Sequence, residues 1–227
     1  MHLMKKIAVI LFGSPGSGKG MQADLLADKY TLIHFDSGKV LRSILHDPAA
    51  QKDPVLKREL ALNSTGILNT PSWVLGMFKK RTRAISGSGF GIVYSGSPRT
   101  IYEGEGLMPV LEKEYGKRNI FVFHLDVPLA AAAARNKVRL VCTTCRRPLL
   151  VQYYPVKNPK HCPVCGGVLK RRIDDDPEKF RIRSKEYSTR TKPVMALLKK
   201  RGYRIVKVDG TPAPYLVFQK IAKIIEA

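Results

Sequence analysis

Acidic residues are in short supply in this chain: 18 Asp and Glu stand against 40 Lys and Arg, a net charge of +22. Such a surface draws phosphate-rich partners, nucleotides or nucleic acid, at low salt. An interleaved array of aromatic and basic residues is also missing, so a dedicated base-stacking surface is not favoured and much of the charge reads as a solvated basic exterior. No apolar run approaches the 18 or so residues of a membrane span, and internal repeats and low-complexity stretches are absent. Cysteine is limited to four residues. The apolar run ending at Phe12 is too short for an export signal and leads into a glycine-rich turn instead of a small-residue cleavage site. The expectation is therefore a cytoplasmic protein, without a membrane partner, whose cysteines stay reduced. At 227 residues, 44% apolar and 26% charged, the chain can build one sizeable core with insertions or two small domains.

What is present begins at the N-terminus. After Lys5 and Lys6, Ile7 to Phe12 is an unbroken apolar run rich in β-branched residues, fit for a strand covered on both faces. Gly13-Ser14-Pro15-Gly16-Ser17-Gly18-Lys19-Gly20 follows, then Leu25, Leu26 and Tyr30 at helical spacing. A strand, a glycine-rich turn and a helix N-terminus aim consecutive backbone N–H groups at one point, which is a phosphate cradle.

The second strong pattern is Cys142-Thr143-Thr144-Cys145 and Cys162-Pro163-Val164-Cys165, two C-x2-C knuckles 16 residues apart. Four thiolates at this spacing suit tetrahedral Zn2+ and leave no open coordination position, so the metal is structural. The intervening segment is too short for its own core, and zinc would supply much of its folding free energy.

The phosphate loop resembles that of the adenylate kinases, Gly-x-Pro-Gly-x-Gly-Lys-Gly-Thr, with Met21 in place of the Thr. Further motifs match in order. Asp36-Ser37-Gly38-Lys39-Val40-Leu41-Arg42 is similar to the family's Ser-Thr-Gly-Asp-Met-Leu-Arg, and Gly66 to Pro71 to its turn over the acceptor base. Ser95-Gly96-Ser97-Pro98-Arg99-Thr100 parallels Asp-Gly-Phe-Pro-Arg-Thr, and Arg172-Ile173-Asp174-Asp175 parallels Arg-x-Asp-Asp with Arg183 eight residues on. The two cysteine knuckles occupy the place of the zinc-bearing lid of the long forms. Val208-Asp209-Gly210-Thr211 closes the series.

The resemblance implies an α/β fold, a parallel sheet flanked by helices, with a helical insertion for the nucleoside monophosphate and a small zinc lid. The core would be 1–36, 71–138 and 177–227, the insertion 37–70 and the lid 139–176. It implies transfer of the γ-phosphoryl of Mg2+-ATP to a monophosphate, AMP favoured, by a monomer. Gly13 through Met21, with Arg135 and Arg139, would hold ATP; Lys19, Arg139, Arg172 and Arg183 would be catalytic. Ser37, Arg42, Leu68, Arg99, Glu103, Arg172 and Arg183 would hold the acceptor, and Asp174 and Asp175 would help the lid close. Departures from the family fall at Met21, at Ser95 for an Asp that helps hold hydrated magnesium, and at Glu103 for a Gln that reads adenine. Ionised Glu103 can only accept hydrogen bonds, which suits guanine's two donors; the opposing expectation is that it faces solvent. Asp126 or Asp36 could take over part of the metal role, and His34 reads as a structural strand-end residue. An altered acceptor base (GMP or a pyrimidine) and a nucleotide-dependent, RNA-associated binding protein are the competing readings.

Overall fold

All five residues of Ala8–Phe12 (β1) are buried, because successive side chains enter two different cores. Ala8, Ile10 and Phe12 point to one face of the sheet, Val9 and Leu11 to the other. The computed structural model describes residues 6–48, 52–171 and 175–227. The helix Lys19–Tyr30 (α1) follows the glycine turn and returns to Leu32–Phe35 (β2). Ser37–Leu45 (α2), Pro54–Thr65 (α3) and Pro71–Gly87 (α4) precede Gly91–Tyr94 (β3) and Ile101–Tyr115 (α5). Ile120–Asp126 (β4) and Leu129–Val138 (α6) lead into Leu140–Cys142 (β5), Pro148–Leu149 (β6) and Leu169–Arg171 (β7). Pro177–Glu186 (α7), a π-helical turn Tyr187–Thr191, Lys192–Lys200 (α8), Ile205–Asp209 (β8) and Pro214–Glu226 (α9) complete the chain.

The main sheet is parallel in the order β2-β3-β1-β4-β8, and a separate antiparallel sheet, β6-β5-β7, carries the cysteines. Helices α4, α5 and α8 cover one face of the main sheet through Val74, Phe78, Leu107, Leu111 and Leu198. Helices α1 and α9 cover the other through Ala23, Leu26, Val217 and Ile221. This is the α/β architecture expected from the sequence. Trp73, Val74, Met77 and Phe78 belong to the first core. Chain order reverses on either side of β1, so the crevice at its carboxyl end is the natural ligand position of such a sheet.

Between α3 and α4 the chain is pinned by Glu59, which is wholly buried. Its carboxylate accepts from Thr70 N (2.9 Å), Thr70 Oγ1 (2.5 Å), Asn69 Nδ2 (3.0 Å) and the Arg58 guanidinium (3.0 Å). Burial alone would raise its pKa; the hydrogen bonds from Thr70, Asn69 and Arg58 outweigh it and hold the carboxyl below its ordinary range. A depressed folded pKa contributes stability that is present above the unfolded carboxylate range and is lost as pH falls through the folded value. Glu59→Ala is expected to lower stability by about 3 kcal/mol at neutral pH, and the difference should shrink in acid. Equal urea midpoints for parent and variant at pH 7 would remove Glu59 from this role.

Candidate functional site

The turn after β1 is shaped by glycine where nothing else fits. Gly16 has φ +81°, and a Cβ there would stand 2.4 Å from Ala132 O of α6. The turn delivers Lys19 to the floor of the cleft at the first position of α1. Its ammonium donates to Gly13 O (2.6 Å), Ser14 O (2.8 Å) and Ser17 Oγ (3.3 Å). The surrounding cleft measures about 1000 Å³. Gly13, Pro15, Gly16, Ser17, Gly18, Gly20 and Met21 line it, as do Arg42, Arg99, Arg135, Arg139 and Arg183. The structure thus brings together in one cavity arginines from four different helices or loops and the phosphate loop.

Their joint field acts on Lys19. Burial, then the positive charges of Arg99, Arg183 and Arg139, push its pKa down to about 7, against the opposing charge of Asp36. A cleft that destabilises an ammonium this strongly is built for a compensating polyanion.

The arginines are held by different means. Arg99 Nε donates to Gly96 O (2.6 Å) and its terminal nitrogen to Ser37 Oγ (3.4 Å); Ser37 Oγ itself donates to Gly96 O (2.9 Å). Arg139 forks onto Asp175, with Nε to Oδ2 at 2.9 Å and a second bond from its terminal nitrogen to Oδ1. Arg135 donates to Gly210 O (2.7 Å) and Thr211 O (2.6 Å), which ties α6 to the turn after β8. Lys179, Arg183 and Glu186 lie on one face of α7 and all line the cleft. Glu186 Oε2 accepts Leu68 N (3.1 Å), and a Cβ on Gly66 would lie 3.2 Å from Arg183 Cγ. Arg172 and Asp174 lie outside the described residues.

Glu103 sits in the first turn of α5 and is 2% exposed, so the expectation that it faces solvent is overturned. It lines a side pocket with Ser37, Leu68, Val74, Phe78 and Arg99. Oε2 accepts Arg99 N (2.8 Å) and Oε1 accepts Thr100 Oγ1 (3.3 Å), while Thr100 Oγ1 accepts Glu103 N (3.2 Å). This reciprocal capping explains the burial. Burial raises the Glu103 pKa, against the Arg99 N–H and the Arg99 charge.

Two further expectations change. Asp126 is turned to the neighbouring strand, where Lys207 Nζ lies 2.8 Å away, and it is absent from the cleft lining. Its metal role falls away because the parallel pairing of β4 with β8 supplies a cation beside it. Asp36 lines the cleft and caps α2 by accepting Lys39 N (3.0 Å). His34 is more than a strand-end residue: Nδ1 is 2.6 Å from Asp24 Oδ1 and Nε2 is 2.6 Å from Ser95 Oγ. Asp24, His34 and Ser95 all line the cleft. Burial would raise the Asp24 pKa, but the hydrogen bond and charge of His34 hold it below the usual range. Sequence reasoning missed this chain of three because its members are remote in sequence; a histidine at a strand end beside the cradle was the one available signal.

The four cysteines converge. Their sulfurs lie within 4.8 Å of one another, with Cys142–Cys165 at 3.4 Å and Cys145–Cys162 at 3.8 Å. Tetrahedral Zn–S bonds place sulfurs roughly 3.8 Å apart, so the donor set fits zinc in number, chemistry and spacing. Thr144 N and Cys145 N both donate to Cys142 Sγ at 3.4 Å. A Cβ on Gly167 would stand 2.8 Å from Cys142 Sγ, so the knuckle needs a glycine there. For magnesium, the cleft offers the Asp36 carboxylate among hydroxyls, a donor set suited to a cation that keeps most of its waters and leans on phosphates.

Comparison with known proteins agrees with this geometry. A family model described as Adenylate kinase matches residues 11–203. A protein named Adenylate kinase from Oceanobacillus iheyensis is 32% identical over 218 residues, covering 96% of this chain and 98% of its own. Proteins of the same name from Methanothrix thermoacetophila and Archaeoglobus fulgidus are each 31% identical, over 96% of this chain and 97% of their own.

Proposed function

The chain belongs to the adenylate kinase family, and on that premise we propose that it transfers the γ-phosphoryl of Mg2+-ATP to a nucleoside monophosphate, AMP first among them, giving two diphosphates. The observation that carries this reading is the convergence of Arg99, Arg139 and Arg183 on Lys19 in one cleft. In-line phosphoryl transfer needs positioning and charge stabilisation more than covalent chemistry. Lys19 and the loop N–H groups hold the donor phosphates, and Arg135 lies under the donor base. Arg42 and Arg99 hold the acceptor phosphate, with Ser37 and Leu68 beside it. Arg139, Arg172 and Arg183 stabilise charge on the moving group, and Asp174 and Asp175 orient arginines as the lid shuts out water. Magnesium, when bound with ATP, neutralises phosphate charge, and Asp36, one of the carboxylates lining this cleft with Asp24 and Glu186, would help hold it.

In this reading 1–36, 71–138 and 177–227 form the core, 37–70 grips the acceptor and 139–176 is a lid stapled by Zn2+ on Cys142, Cys145, Cys162 and Cys165. Four free thiols and a zinc centre suit a reducing cytoplasm, and among the described residues no helix is long and apolar enough to cross a membrane. A monomer suffices, since one chain carries every group used. The test is diphosphate formation by the zinc-loaded protein with Mg2+-ATP and AMP, GMP, CMP or UMP in turn. Turnover with AMP is expected; tight ATP binding without turnover on any of the four would leave a binding protein in place of a kinase.

A second reading, a broadened acceptor base, is favoured by the buried Glu103 in the acceptor-side pocket. Ionised, it accepts two donors, the pattern guanine offers; an amide offers one donor and one acceptor, the pattern adenine needs. Glu103→Gln is therefore expected to raise the AMP-to-GMP ratio of kcat/KM about tenfold. An unchanged ratio would show that Glu103 serves only as a helix cap.

A further inference from the structure

Phosphoryl transfer uses the carboxyl ends of the strands. The opposite end of the sheet carries a second concentration of positive charge, which no step above employs. Because β2, β3, β1, β4 and β8 run parallel, their amino ends share one edge. Lys6 stands two residues before Ala8 and Arg118 two before Ile120, and Ala8 and Ile120 are partners in the ladder. Arg204 immediately precedes β8. Helices α5 and α8 run to the same edge, bringing Lys113 from the last turn of one and Lys199 and Lys200 from the end of the other. Over 113–118 and 199–204 the chain has seven Lys or Arg against one acid, Glu114.

The two segments are fixed to each other. Lys117 Nζ donates to Arg201 O (2.6 Å) and lies 5.3 Å from the centre of the Tyr203 ring. The Arg201 guanidinium pairs with Glu112 at 3.1 Å, and Tyr203 OH donates to the same carboxylate (2.6 Å). These contacts occupy Lys117 and Arg201 and dock the 3-10 turn Lys117–Asn119 onto the turn after α8. Lys113, Arg118, Lys199, Lys200 and Arg204 are exposed, and among the described residues none of the five has a carboxylate partner. None lines the nucleotide cleft, and the seven residues of β4 separate this edge from it by about 20 Å. Helix dipoles explain part of the charge, since Lys113, Lys199 and Lys200 complement helix C-termini. Arg118 and Arg204 stand outside both helices, at strand entries, and complement neither.

The class of partner follows from the side chains around the charge. No large apolar side chain is exposed over 113–120 or 199–206, so nothing there would wedge between bases or enter a bilayer. Tyr115 and Tyr203 are buried, so neither ring can stack on an unpaired base. What remains is a set of cations held at fixed spacing, which suits a rigid row of phosphates, and a duplex presents one charge per about 1.7 Å of its axis. We propose that this amino-end edge of the sheet binds the sugar-phosphate backbone of a nucleic-acid duplex, without regard to sequence and apart from the nucleotide cleft.

The test uses the full, zinc-loaded chain and a fluorescein-labelled duplex of about 20 base pairs, RNA in one series and DNA in the other, with anisotropy read as KCl rises from about 50 to 200 mM. Five cations on phosphates predict a log–log salt slope of about −4.5 for either duplex. Arg118→Gln with Arg204→Gln should flatten the slope by about 2 and weaken binding about tenfold, with phosphoryl transfer and the urea midpoint unchanged. Lys157→Gln with Lys160→Gln, a charge-matched change in the lid, should bind as the parent does. Saturating Mg2+-ATP at matched ionic strength should displace no duplex. Equal losses in the two double variants would reduce the effect to overall charge, and displacement by ATP would move it into the cleft; either overturns the proposal. So would phosphatidylserine vesicles that bind as tightly as the duplex and lose the Arg118 and Arg204 variant to the same degree. Duplex binding by a protein without kinase turnover would remove the transferase reading and leave this one standing.

Discussion

Replacing Lys19 by methionine lowers phosphoryl transfer by about 10²–10³-fold, the cost of removing one preorganised donor from a site of developing negative charge. The side chain is nearly isosteric and its carbon stem remains at the start of α1, so the fold should survive. What is lost is the ammonium that bridges Gly13 O and Ser14 O at the mouth of the loop. A second signature separates this from a packing defect. Burial and the charges of Arg99, Arg183 and Arg139 bring the Lys19 pKa to about 7 in the unliganded cleft. At pH 8 most of the population is therefore neutral, and a polyphosphate, which favours the ammonium, restores the proton on binding. Calorimetry in two buffers of different ionisation enthalpy should register close to one proton taken up per ATP, and ATP affinity should weaken as pH rises above 7. The Lys19→Met variant should bind without that uptake. Transfer within tenfold of the parent, or equal proton uptake by both proteins, would take Lys19 out of this role.

Metal removal should be as severe by a different route. The lid's own apolar cluster is Cys142, Cys162 and Leu169, with Leu140, Cys145 and Leu149 packed on it, far too little to order β5, β6 and β7 unaided. Zinc on four thiolates would supply that free energy, and one zinc per chain is expected by elemental analysis. Stripping it, or Cys142→Ser, should release amide protection over 140–171 while the five-stranded sheet keeps its own. Because Arg139 adjoins β5 and is forked to Asp175, disorder there displaces a guanidinium that lines the cleft. A misplacement of about 1 Å costs about 10²-fold in rate. Protected lid amides in the metal-free protein would show that the small sheet stands without zinc.

Local patterns were legible. The phosphate loop, the buried strands and the two cysteine knuckles are each written within a few residues, and side-chain periodicity or ligand spacing reports them directly. What escaped depends on pairing between distant segments. The contact of His34 with Ser95 follows from the register of β2 on β3, which no window of sequence contains. Asp126 looked like a strand-end acid, but only the neighbouring strand reveals Lys207 beside it. Glu103 is drawn inward by a capping bond to Arg99 N that competes with solvation, and Glu59 by Thr70 eleven residues on. In each case the side chain's chemistry was readable and its partner was not.

The bond from Leu68 N to Glu186 Oε2 joins the turn after α3 to the helix that carries Arg183. It spans 118 residues of sequence, so a segment between two helices borrows its anchorage from a helix far along the chain. A hydrogen bond to a carboxylate is worth about 1.5 kcal/mol, so Glu186→Ala would loosen that turn about tenfold without touching any residue near it in sequence.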